Sequence, residues 1–165
     1  MLRAPLPLSA LVRECAVLAV GLTSLAGCAG SSADHAPVDP TKALESPPGG
    51  SDGDPVRAAF ISRTSPDTCG KVVLGQGQSL RPTDQTYRCL DAARTGRKGA
   101  ELTVAVPTTE GDPIVHYVRV LPDGSIEVYA DPTHDQFAGQ NPTWSHTTCP
   151  AAESLAACVP QIFAG

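Results

Sequence analysis

The sequence predicts an α+β domain: one helix packed on an antiparallel β-meander in the order β-α-β-β-β-β, stapled by disulfides. Three observations predict it. Residues 101–106, 114–121 and 125–130 alternate apolar and polar side chains, the period-2 pattern of half-buried strands. Thr86, Cys89, Leu90 and Ala93 recur at helical spacing between Pro82 and Gly96. Four cysteines, Cys69, Cys89, Cys149 and Cys158, are spread across the same region.

The elements follow in order. Residues 56–63 read equally as a short helix capped by Asp54-Pro55 or as an extended segment. Residues 71–74 are a short apolar run ending at Gly75, a strand, and residues 75–79 form a turn. Pro82 suits the first turn of a helix that ends near Gly96. In the next strand Leu102, Val104 and Val106 share one face, and Pro107 ends it. Residues 114–121 place Val118 and Val120 on one face and Tyr117 and Arg119 on the other. Pro122-Asp123-Gly124-Ser125 is a turn, because Pro and Gly supply the dihedrals it needs. Ile126 and Val128 face inward on the returning strand, and residues 143–149 form the last one. One helix over a meander gives two layers. At the level of topology this resembles a cystatin-like arrangement, which carries no function.

The N-terminal region says where the protein works. Arg3 and Arg13 precede an apolar run, residues 16–25, which leads into Leu25-Ala26-Gly27-Cys28. This is the layout of a secretory signal peptide, and the run is too short to span a bilayer. The four residues resemble the lipobox of bacterial lipoproteins. The resemblance implies cleavage before Cys28, a diacylglyceryl group on its thiol, and an extracytoplasmic, membrane-anchored protein. Plain secretion is the rival. Residues 1–27 are then the signal, residues 28–55 the lipidated Cys and a tether, and residues 56–165 the domain. The tether reading rests on Pro37, Pro40, Pro47, Pro48 and Pro55, with four glycines and little that is large and apolar.

The signal removes two of the 12 basic and one of the 17 acidic residues, leaving a net charge near −6. That balance argues against nucleic acid as a partner. Cys69, Cys89, Cys149 and Cys158 are an even number in an exported chain and read as two disulfides. Four cysteines allow three pairings; the short closures Cys69–Cys89 and Cys149–Cys158 are preferred. No C-x-x-C pair points to zinc or to a redox thiol.

Residues 108–114, Thr-Thr-Glu-Gly-Asp-Pro-Ile, stand out. They resemble the Thr-x-Glu-Gly-Asp-Pro-Ile signature of a family of small secreted domains and lipoproteins of Gram-positive bacteria. Asp131, Asp135, Phe137 and Gly139 match a second hallmark, with Ala138 as a local departure, and Cys149 matches a third. The resemblance implies fold and location and brings no activity with it. Read physically, Gly111 permits positive φ, Pro113 restricts Asp112 to extended backbone, and Asp112 can cap the turn. The sharper reading brings Glu110, Asp112, Asp131 and Asp135 to one end of the meander, where four carboxylates could hold Ca²⁺. Paired carboxylates could also serve a hydrolase. His134 lies between Asp131 and Asp135; His116 and His146 read as strand positions. Trp144 reads as a core plug or an exposed anchor. No nucleophile elbow and no phosphate-binding glycine loop is present.

The expectation is a non-catalytic binding module without a cofactor. Its contact face is formed by the loops bearing Glu110, Gly111, Asp112, Pro113, Asp131 and Asp135, and its partner is a protein or small ligand. A calcium-binding domain and an envelope hydrolase are the alternatives.

Overall fold

The computed structural model describes residues 37–164. The expected signal peptide (1–27) and the lipidation site Cys28 lie outside the described residues. In chain order the elements are α1 (Pro40–Glu45), α2 (Pro55–Ser62), β1 (Asp67–Val73), α3 (Gln85–Thr95), β2 (Ala100–Pro107), β3 (Pro113–Val120), β4 (Ile126–Asp131), β5 (Ser145–Cys149) and α4 (Leu155–Cys158). The chain is α+β, with one five-stranded sheet in the order β1-β2-β3-β4-β5.

The antiparallel meander holds for β2 to β5, while β1 pairs with β2 in parallel. The sheet is therefore mixed. The cause is α3, a crossover that carries the chain from the end of β1 back to the level at which β1 began, so that β2 runs the same way. The ends of β1, β2 and β4 and the starts of β3 and β5 consequently share one end of the sheet, called here the Asp112 end.

The sheet is covered on both faces, where the alternation predicted two layers. On one face Leu102, Val104, Val118, Val120, Ile126 and Val128 pack with Leu90 of α3 and with Val159, Ile162 and Phe163 near the C-terminus. On the other, Ala43 and Leu44 of α1 pack on Ala105 and Val115. Beside them Phe60 of α2 packs with Tyr129 and Trp144. The stretch read as tether thus belongs to the fold from residue 37 onward. Two buried side chains, Ala43 and Leu44, are most of what α1 contributes to burial, too weak a pattern to register as an amphipathic helix.

Capping settles the segment that read two ways. Asp54 accepts from the backbone N–H groups of Val56 and Arg57, Pro55 occupies the first turn, and residues 55–62 are helical. Pro82 lies ahead of α3, which starts at Gln85 and is capped at its C-terminus by Gly96. Both disulfides join the preferred pairs: Cys69–Cys89 ties α3 to edge strand β1, and Cys149–Cys158 ties α4 to the end of β5.

Candidate functional site

Three loops meet at the Asp112 end: residues 74–79, residues 108–112 and residues 132–144. The hairpin between β2 and β3 closes through Thr108 N–H to Asp112 O at 2.8 Å and Gly111 N–H to Thr108 O at 3.1 Å. Gly111 has φ 100°, as its place in this turn requires. The Gln76 side-chain amide donates to the carbonyls of Thr108 and Thr109 at 3.1 and 3.0 Å, joining the first loop to the second.

The carboxylates do different work from what their spacing suggested. Asp112 is 1% exposed. Its oxygens accept from Val38 N–H at 2.9 Å, Gln136 N–H at 3.2 Å and the Gln136 side-chain amide at 3.3 Å. Asp131 is fully buried. It accepts from Gly49 N–H at 3.1 Å, Thr133 N–H at 2.9 Å and Thr133 Oγ1 at 2.6 Å. A third buried aspartate, Asp54, accepts from Trp144 N–H at 2.7 Å as well as capping α2. These hydrogen bonds, led by the one from Trp144, hold its carboxyl below the usual range. Each aspartate therefore joins residues 37–54 to the sheet or to the 132–144 loop. At Asp54, whose carboxyl is held low, the N–H groups bond to an ionised acceptor, a stronger pair than a neutral one.

Glu110 is exposed, and Asp135 is half-buried and accepts from Phe137 N–H at 2.9 Å. Pro113 is buried at the start of β3. Among the described residues no three His, Cys, Asp or Glu side chains are grouped so as to hold a metal ion. Glu110, Asp112, Asp131 and Asp135 share an end of the sheet without forming a cation site. A depression of about 290 Å³ at this end is lined by Gly50, Ser51, Thr133, Gln140, Asn141 and Pro142, with no carboxylate among them.

Trp144 is a core residue. Its indole N–H donates to Gly49 O at 3.1 Å, and its ring stacks on Tyr117 with centroids 5.8 Å apart. A Cβ at Gly49 would collide with the Thr133 side chain, so any other residue here requires Thr133, and with it the Thr133 Oγ1 bond to Asp131, to shift. His116 is buried, and its Nδ1 has no hydrogen-bond partner among the described residues. Burial alone pushes it down to about 4. His146 stacks on Tyr129 at 4.2 Å. Its Nε2 lies 3.9 Å from Glu127 Oε1, beside a row of ion pairs that crosses the sheet through Arg63, Glu101, Arg119 and Glu127.

One residue outside the expected set stands out by its exposure. Phe137 is 66% exposed, more than Ile61 or Val73, the other exposed large apolar side chains among the described residues. Its loop is tightly held: Asp135 N–H donates to Pro132 O, Ala138 N–H to Asp135 O, and Gln136 to Asp112. The sequence marked Phe137 as part of a motif, but exposure of an aromatic cannot be read from spacing. Searches of family models, curated proteins and solved structures find no match to this chain.

Proposed function

We propose that this is a lipid-anchored extracytoplasmic binding module. It is non-catalytic, and its contact face is the Asp112 end, with Phe137 at the centre and Glu110 at the rim. The single observation that supports the reading is an aromatic side chain held out to solvent by an ordered loop. A large exposed apolar group costs solubility, and a preorganised one loses little entropy on binding. The buried aspartates support it indirectly. They are spent on backbone N–H groups, so their role is to stiffen the loops. The likeness of residues 108–114 and 131–139 to a family of small secreted domains belongs to the same proposal, and so does the anchor on Cys28.

The test is photo-crosslinking in intact cells. A photoreactive phenylalanine analogue placed at residue 137 is expected to give a discrete adduct, and the same analogue at Glu153, on the opposite end of the sheet, none. Equal yields at the two positions, or no adduct at 137 in a folded protein, refute the contact face.

A further inference from the structure

The chain enters the described fold at the Asp112 end, where Val38 N–H bonds to Asp112. This sets a covalent limit. Ten residues separate Val38 from Cys28, and ten residues span at most about 35 Å whatever their conformation. The eight-residue strands β2 and β3 are roughly 26 Å long at about 3.3 Å per residue. An anchor on Cys28 therefore keeps the Asp112 end within about 35 Å of the bilayer; that reach exceeds the length of the sheet, so the linker favours the Asp112 end as the near one through chain entropy and does not lock it there. Bringing the opposite end down would oblige the chain to run back along the whole sheet. The favoured end also carries Phe137, the most exposed large apolar side chain of the described residues.

We propose that the outer leaflet of the bilayer is the partner of this face. Phe137 seats in the boundary between headgroups and acyl chains, and the strands stand away from the surface. The anchor supplies the affinity and Phe137 the orientation, since one aromatic ring alone binds a membrane weakly. Asp135, two residues before the ring, is half-buried, and Glu110, in the β2–β3 hairpin at the same end of the sheet, is exposed. The contact is thus apolar and owes nothing to attraction by anionic lipid. The proposal rests on the anchor reading and deepens the proposed contact face by naming its partner.

The test uses full-length lipidated protein in phosphatidylcholine vesicles, with an environment-sensitive fluorophore on Phe137→Cys or on Glu153→Cys. Both positions are exposed, and equal melting temperatures confirm that both variants fold. The label at 137 is expected to emit to the blue of the label at 153 and to be quenched by spin-labelled lipid, which leaves 153 unaffected. Solvent-like emission at both, with the diacylglyceryl group on Cys28 confirmed by mass in the same sample, overturns the bilayer as partner. The crosslinking face then remains for a protein. An unmodified Cys28 in protein taken from its own membrane overturns the anchor reading, and this proposal with it.

Discussion

At the scale of single residues, buried polar groups organise this molecule, and they fall into two kinds. Asp54, Asp112 and Asp131 are buried with their oxygens occupied by backbone N–H groups. His116 is buried with Nδ1 unpaired among the described residues. A group of the second kind makes stability depend on pH. His116 is held neutral, with its folded value at about 4 against 6.5 when unfolded. Below pH 6.5 the unfolded chain takes up a proton that the folded one refuses. The stability due to neutral His116 is therefore complete above pH 6.5, falls as the pH drops, and reaches its floor below 4. The loss across that window is at most about 3 kcal/mol. His116→Leu removes both the titration and the unpaired nitrogen. Urea midpoints of this variant are expected to change less between pH 7 and pH 4.5 than those of the wild type. Parallel pH profiles would assign the acid sensitivity to other groups.

At the scale of elements, the alternation of apolar residues located β2, β3 and β4, and helical spacing located α3. Turn chemistry placed the hairpin at residues 122–125 between β3 and β4. What the pattern could not carry was direction and cover. Parallel pairing of β1 depends on how α3 crosses over, which no local signal records. The second layer was hidden because α1 has only six residues and buries only Ala43 and Leu44. Its attachment is instead polar and long-range: Val38 to Asp112, Gly49 to Asp131, and Lys71 Nζ to Leu44 O at 2.7 Å. Tyr117 and Arg119, which would line an open solvent face in a two-layer domain, lie under this cover. The consequence can be tested by length. A chain beginning at Pro37 is expected to unfold cooperatively. One beginning at Val56 loses the Asp54 cap and uncovers Ala105, Val115 and Trp144, and is expected to bind a hydrophobic dye or fail to fold. The cap alone is worth about 1 kcal/mol. Matching unfolding midpoints for the two chains would show that residues 37–55 are dispensable. For the candidate site the position was legible and the chemistry was not. Glu110, Asp112, Asp131 and Asp135 lie at one end of the sheet, as a meander requires, but do not group into one cluster among the described residues. Whether a carboxylate faces water or a backbone N–H is decided by residues far away in sequence, here Val38 and Gly49.

At the scale of the whole molecule, protection decreases from the middle of the sheet outward. β3 is central in the order β1-β2-β3-β4-β5 and is covered on both faces. β5 is an edge strand whose residues 145–148 are all exposed, and it is tied to α4 by Cys149–Cys158. The disulfide closes a separation of 9 residues, and chain entropy assigns a loop of that size roughly 3 kcal/mol. Amide hydrogen exchange should therefore rank β3 slowest, open only in global unfolding, with β5 and residues 150–164 faster. Cys149→Ser/Cys158→Ser is expected to speed exchange chiefly in β5 and in residues 150–164. Phe163 and Ile162 lie in the main core beside Leu90, so some of that loss must reach the face packed by α3. β2 and β3 on the opposite face, held by α1 and the aspartate clasps, should keep their relative ranking. A uniform increase across all five strands would mean instead that the C-terminal segment and the sheet open as one unit, with the disulfide stabilising the whole fold rather than its last turn.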